Sequence, residues 1–393
     1  MADKPELQRL LREPVLARSH ARTSLISRGF KDAQKLLVRL GIAPGVDDAQ
    51  VHFDHGLMSH ASGNHEEATS YWRNAAGLGH ARAQFFLGLM YRRGEGVPQT
   101  DEQAAVWWRR AAEQGQPDAQ VGLGSLYEHG EGVPANDVEA LFWYLKAADQ
   151  GDAIAQSIMG LRYERGRGVP IDYSRALDWY LKAAAQGDTH AQAQLSLFYD
   201  FPWQFGNIVP LDSHKALGWL LEAAKHGNAK AQWRLAYKYL HGIDVPQIEV
   251  EAAFWYRKAA DQGDKDAQYE LGKLYAAGEG VTKDGVQAVY WFRKAAEQGH
   301  ADAQCELGWH YEASNGVRRS YTDAESWYRR AAEQGHAEAQ HSLGLLYAKG
   351  KGVPQSYEEA QTWFRRAADQ GHKEATQDLG RRFRQWDESS MAW

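Results

Sequence analysis

ARAQFFLGLMYRRGEGVPQTDEQAAVWWRRAAEQG, residues 81–115, is one copy of a pattern that returns along most of this 393-residue chain. Its tryptophan at position 107 is followed by Trp143, Trp179, Trp219, Trp255, Trp291, Trp327 and Trp363, at steps of 36 residues with a single step of 40. A fixed period of this length marks a stacked-repeat architecture, in which each copy contacts its neighbours and no central core limits the length. The first half of the copy places Ala83, Leu87, Gly88 and Tyr91 on one face at helical spacing. A glycine inside a helix costs roughly 1 kcal/mol against alanine, so Gly88 points to the close approach of a partner helix. The slot stays small in every later copy: Gly124, Gly160, Ser196, Ala236, Gly272, Gly308, Gly344 and Gly380. Gly94-Glu95-Gly96-Val97-Pro98 then ends the helix, by a glycine free to turn left-handed and a proline that stops continuation. The second half carries Ala104, Trp107 and Ala111 on one face. Large tryptophan against small alanine predicts knob-and-hole packing between copies, and Gln114-Gly115 closes the second helix.

Each copy is therefore expected to be a helix–loop–helix hairpin of about 36 residues. Hairpins that cannot bury both faces alone stack into an all-α, right-handed α-solenoid, its first helices lining the concave side by analogy with related solenoids. The pattern A-x-A-Q-x-x-L-G-x-x-Y-x-x-G-x-G-V-P, followed by A-x-x-W-Y/F-x-K-A-A, resembles the Sel1-like repeat, a relative of the tetratricopeptide repeat, over roughly residues 47–383. That resemblance implies an adaptor or scaffold that holds protein partners and performs no chemistry of its own. Secreted members of the family often tie each repeat with a disulfide. Cys305 is the only cysteine here, so a reducing, cytoplasmic setting is expected, with a bacterial origin as the family's implication.

Residues 1–46 fall outside the pattern and read as two helices, about 5–18 and 23–40, forming an N-terminal helical cap. Nine Lys and Arg against four Asp and Glu also suit a docking helix for an acidic partner or membrane surface. Residues 47–371 hold nine copies; the first, 47–79, is degenerate, with Tyr71 in the tryptophan place, and the fifth, 188–227, is four residues longer. Residues 372–393 read as a C-terminal capping helix and tail. A net charge of −6 and pI near 6.2 argue against nucleic acid as a partner. No stretch approaches the roughly 18 consecutive apolar residues of a membrane-spanning helix, and the arginine-interrupted N-terminus lacks a secretory apolar region. Oligomeric state is not readable.

Residues that differ between copies are the candidates for recognition. Counting from the shared glutamine (Gln84, Gln120 and their equivalents), positions +1, +5 and +8 fall on one helix face, the expected lining of the groove. Early copies are modest there, with Val121, Ser125, Glu128, Ser157, Leu161 and Glu164. Later copies become aromatic, with Trp233, Tyr237, Tyr269 and Trp309, and carry Arg234, Lys238, Lys273 and His310 beside them. Grouped aromatic and cationic residues are the usual material of a binding hot spot. The long copy adds a loop, residues 200–207, with Phe201, Trp203 and Phe205, costly to expose without a contact. These eleven residues are the expected partner-binding set, the loop and the 233–310 groove forming one surface. The competing reading makes the aromatics fillers between copies, and the loop a plug at a local bend.

Chemistry finds less support. His52, His55, His60 and His65 cluster in the degenerate copy, but such loose spacing without cysteine favours a polar surface over zinc. His80, His300, His336 and His372 recur where other copies have Asp152, Asp188, Asn228 and Asp264, a helix-start position. The repeated Gly-x-Gly lacks the strand and the last glycine of a dinucleotide fingerprint. Cys305 has no evident base and is expected to be inert. Pairs such as Glu66-Glu67 read as solvated faces. The expectation is a non-enzymatic adaptor or scaffold without cofactor or metal, binding a protein or peptide in its groove, including the form of a dedicated inhibitor or immunity-type regulator. The alternative is a carbohydrate-binding or cell-wall-related protein that stacks sugars on the aromatic groove.

Overall fold

Two residues in every period, a buried glutamine and a small residue one turn beyond it, set how the helices meet. The computed structural model describes residues 48–380, so the expected N-terminal cap and the tail beyond 380 lie outside the described residues. Within them every regular element is helical. The chain forms two compact units, one ending at Leu211 and the other beginning at Asp212. The first contains α1 (Asp48–Ala61), α2 (His65–Gly77), α3 (Ala81–Arg93), α4 (Asp101–Glu113), α5 (Pro117–His129), α6 (Asp137–Asp149), α7 (Ala153–Arg165), α8 (Tyr173–Ala185), α9 (Thr189–Asp200) and a 3-10 turn, Pro202–Phe205. The second contains α10 (Ser213–Lys225), α11 (Ala229–His241), α12 (Glu249–Asp261), α13 (Lys265–Ala277), α14 (Gly285–Glu297), α15 (Ala301–Ala313), α16 (Tyr321–Glu333), α17 (Ala337–Lys349) and α18 (Tyr357–Asp369). Tandem helical hairpins without strands make the described chain an all-α solenoid.

The last carbonyls of a helix have no partner inside it. Here a turn amide supplies one donor, as Gly115 N–H does on Ala112 at 3.0 Å, and the next copy supplies a second. Gln84 Nε2 donates to the Ala76 carbonyl at 3.1 Å, and Gln120 to Ala112 at 3.0 Å. Gln268, Gln304 and Gln340 repeat this on Ala260, Ala296 and Ala332. The same glutamine accepts, through Oε1, from the glutamine that closes its own copy: Gln114 on Gln84 and Gln334 on Gln304, both at 2.7 Å. Helix starts are equally regular. His80, His300, His336 and His372 accept the third-residue amide through Nδ1, where Asp152 and Asp264 do so with a carboxylate, as expected for a capping position.

The small slot meets the partner helix closely, as expected, and what it meets is an aromatic ring. A Cβ on Gly88 would lie 2.5 Å from Trp108 Cδ1, and one on Gly272 2.7 Å from Phe292 Cδ1. The slot-filling row is thus the residue after the repeat tryptophan, or after Tyr71 in the first copy: Trp72, Trp108, Tyr144, Tyr180, Tyr256, Phe292, Tyr328 and Phe364, with Leu220 in the long copy, all buried. The Trp107 row flanks it at the helix edge, with a cation one turn on lying over the ring, as Arg110 does over Trp107 at 4.8 Å and Arg366 over Trp363 at 4.6 Å. Between the helices, Gly96 has φ +70°, and a Cβ there would lie 2.3 Å from the His65 carbonyl oxygen, at the start of α2. Gly280 stands likewise against Glu249 at the start of α12. Each loop is laid on the first residue of the preceding copy's second helix.

Where the slot-filling ring is tyrosine, its hydroxyl needs an acceptor. Tyr144 donates to Glu128 at 2.9 Å, Tyr180 to Glu164 at 2.8 Å and Tyr328 to Glu312 at 3.3 Å. Phe292 and Phe364 have Ala276 and Ala348 at the equivalent place. Tyr256 faces Leu240 by the same register, and its buried hydroxyl has no hydrogen-bond partner. Tyr256→Phe should therefore hold or raise stability, whereas Tyr144→Phe should lose about 1 kcal/mol, both read from urea midpoints. Gly272→Ala in mid-helix would ordinarily stabilise by about 1 kcal/mol; the Phe292 ring should reverse the sign, to a loss of about 2 kcal/mol, and Phe292→Leu in the same chain should recover part of it.

Candidate functional aromatic surfaces

In the second unit, position +5 of the first helices reaches solvent. Tyr237 is 41% exposed on α11 and Trp309 49% on α15, with Lys273 exposed on α13 between them in sequence. Trp233, one turn before Tyr237, is half-buried and stacks on it with centroids 5.6 Å apart, so the exposed ring is held from below. Tyr269 is half-buried and stacks on the His300 ring at 4.6 Å. Burial raises the Tyr269 hydroxyl pKa and lowers that of His300. Arg234 is half-buried on the adjacent face of α11.

Of the three expected rows, +5 carries the accessible aromatics. Position +1 is buried at Phe85, Val121, Ser157, Cys305 and His341, and at +8 Glu128 and Glu164 are bound to the tyrosines named above. Lys238 and His310 are corrections to the expected set. They occupy +6, the inward slot that holds Met90, Leu126, Leu274 and Leu346 in other copies. Lys238 is buried and ion-paired to Asp244 at 2.6 Å. Asp244 has φ 58° where most copies have the second loop glycine, and Lys238 holds its carboxyl below the usual range. His310 is buried, donating through Nδ1 to the Asn315 carbonyl at 2.8 Å, with Nε2 unpartnered. Arg162 fills the same slot in the first unit, 1% exposed, between Glu128 and Asp137 at 3.1 Å each.

The electrostatics also differ from the expected cationic groove. Lys273 Nζ is bound to Glu270 at 2.9 Å and lies 5.3 Å above the Tyr269 ring. Glu306 sits near Lys273, Asp302 and Glu338, its carboxyl pKa raised first of all by burial. With Lys238 and His310 inside and Lys273 paired to Glu270, the charged groups acting on Tyr269 are the carboxylates Asp302, Glu306 and Glu270. Cys305 is buried, its thiol pushed up to about 12 chiefly by burial, which keeps it protonated and unreactive.

In the first unit, the loop splits its three aromatics. Phe205 is buried, stacked on Phe198 at 4.0 Å, and edge-on to Tyr173 at 5.7 Å. It belongs to the packing and is withdrawn from the accessible set. Phe201 is half-buried and meets Trp203 edge-on at 5.5 Å; Trp203 is 60% exposed. The loop is an anchored mount for one tryptophan. The four histidines of the first copy also separate: His55 and His52 lie by the Tyr71 ring at 5.2 and 6.1 Å, while His60 and His65 meet each other. Among the described residues no helix is long and apolar enough to cross a membrane.

The Sel1 repeat family matches this chain in eight consecutive stretches: 81–116, 117–152, 153–188, 189–228, 229–264, 265–300, 301–336 and 337–372. The chain belongs to the Sel1 repeat family. A Sel1 repeat protein from Oxalobacter formigenes is 37% identical, over 79% of this chain and 89% of its own, with a TM-score of 0.54. A protective antigen of uropathogenic Escherichia coli, described as displaying an SLR fold, is 34% identical over 85% of this chain and 79% of its own, with a TM-score of 0.46. An immunity protein from Pseudomonas aeruginosa is 23% identical over 55% of this chain and 81% of its own, with a TM-score of 0.32, a likeness of fold alone. No curated protein matches the chain.

The His310 site gives a test of the inward assignment. Burial lowers its pKa below the ordinary 6.5. As pH falls through that value, the unfolded chain takes a proton that the folded imidazole refuses, so stability drains away toward the lower folded pKa. His310→Leu, the residue of three other copies, should remove this loss. The variant's advantage in thermal midpoint should widen from pH 7 to pH 5; a constant difference would show that His310 titrates as a solvated group.

Proposed function

We propose that this chain is a non-enzymatic adaptor that holds a protein or peptide on the aromatic face of its second unit. Sel1 repeats mediate protein–protein interaction, and the observation that carries the reading for this chain is the pair of solvent-reaching rings, Tyr237 stacked on Trp233 and Trp309 edge-on to the buried His310 ring at 5.0 Å. Rings already fixed by neighbours lose little conformational freedom on binding, which is why rigid aromatics dominate hot spots. The neighbouring carboxylates favour a partner segment carrying lysine or arginine. Glu306 is already partly desolvated, and a cation brought against it recovers interaction that water no longer supplies.

A dedicated partner, of the inhibitor or immunity kind, is the narrower form of this proposal. Its support is rigidity: Trp233 under Tyr237, and Phe205 under the loop that bears Trp203, preset their surfaces for one shape. Setting is part of the same proposal, a reducing cytoplasm, in keeping with a single buried cysteine.

Affinity capture from native extract, with the tagged chain beside its Trp233→Ala, Tyr237→Ala, Trp309→Ala variant, tests the reading. A protein retained by the parent chain should be lost by at least tenfold from the variant, with unchanged helicity by circular dichroism. It should also be released by raising salt. Equal retention by both would remove the aromatic face as the binding surface.

A further inference from the structure

The first copy differs from the others at the place where copies are pinned together. In the next copies, the end of a first helix is tied to the loop of the following copy by an ion pair: Arg92 to Glu131, and Glu128 to Arg167 at 3.4 Å. At the first junction the helix end contributes His60 and the following loop contributes Glu95, with His60 Nε2 and Glu95 Oε2 3.6 Å apart. A second imidazole, His65, is added from the start of α2. The interhelix loop there is only Ser62-Gly63-Asn64, short enough to bring the two rings to 5.0 Å between centroids, edge to face.

We propose that His60, His65 and Glu95 form a binding site for a borderline divalent cation of the zinc type. One donor atom from each lies within 4.8 Å of the other two. All three residues are half-buried, and His65 Nδ1 is buried without a hydrogen-bond partner. Two imidazoles and one carboxylate match the nitrogen–oxygen preference of such ions, leaving a fourth position for water. Bond lengths of about 2.0–2.2 Å require donors roughly 3.3 Å apart, so small side-chain rotations complete the set. Arg93 Nη1 stands 3.8 Å from the other Glu95 oxygen, Oε1, and steadies the carboxylate from behind.

The bound ion would staple three elements: the end of α1, the start of α2 and the loop after α3. The first two belong to the degenerate copy, which lacks the long Gly-x-Gly-Val-Pro loop and lies outside the stretches matched by the family; Glu95 comes from that loop of the following copy. A second histidine–carboxylate group, Glu338, His341 and His372, is present near the other end. There His372 Nε2 already bonds Glu338 at 2.8 Å and His341 Nε2 bonds Asp378 at 2.9 Å, so its donors are satisfied without an ion.

The test uses the full chain freed of metal by chelator, equilibrated with zinc chloride and assayed by dialysis and elemental analysis, with His341→Ala as background to silence the second group. The background chain should retain one equivalent. Adding His65→Ala or Glu95→Gln should weaken retention at least tenfold. Zinc should raise the thermal midpoint of the background chain and not of these variants. Glu95→Gln preserves shape in a loop, so it decides the matter if His65→Ala alters folding. Failure of the background chain to retain zinc, or equal retention by both variants, would overturn the proposal.

Discussion

The glutamine at the head of each first helix is the interaction on which the rest depends. It occupies the space between two copies and satisfies both: its amide nitrogen donates to a terminal carbonyl of the helix before, and its oxygen accepts from the glutamine that ends its own copy. An amide is the side chain for this task because it offers donor and acceptor at one end, without a charge to desolvate. A leucine there would leave that terminal carbonyl with only the turn amide that already caps it, as Gly115 N–H does on Ala112 at 3.0 Å, and would leave the closing glutamine of its own copy without its acceptor. With that contact fixed, the small residue beyond it meets the ring of the second helix, and the loop glycine meets the start of the preceding copy's second helix.

Variation is confined by these contacts and shows where it is allowed. The slot-filling ring changes between tryptophan, tyrosine and phenylalanine, and its polar demand changes with it. Trp108 donates to the Phe85 carbonyl, and Tyr144 and Tyr180 have glutamates. The inward +6 slot accepts Arg162, Lys238 or His310 in place of leucine only where a carboxylate or carbonyl is supplied nearby. Outside those rows, +5 is free to become tyrosine or tryptophan, so recognition can diverge without disturbing the stack.

The period, the all-helical fold, the histidine caps and the small slot were legible in the sequence because each is a statement about one copy repeated. The identity of the ring in the slot was not. Trp107 is the invariant large residue, and Trp108 varies, yet steric closeness at Gly88 selects Trp108. Lys238 and His310 show the same difficulty. They are one residue, roughly 100° of helix, from the exposed Tyr237 and Trp309, and only packing tells which of two adjacent positions turns inward. Phe205 was misassigned because loop composition does not reveal that Phe198 lies beneath it. The meeting of His60, His65 and Glu95 was hidden for another reason: its third member comes from the following copy.

Because every glutamine bridge joins the same two positions of the repeat, one within its own copy and one in the copy before, the bonding is indifferent to how many copies there are. Remove residues 265–300 as a block, and Gln304 arrives at the Ala260 carbonyl in the place of Gln268, with Gln334 still behind it. A gene for such a chain tolerates recombination between misaligned repeats, since crossing over at equivalent positions yields an array in which no bridge has lost its partner. Length then becomes a heritable variable separate from sequence, and what a gained or lost copy changes is the order of the outward-facing residues rather than the integrity of the stack.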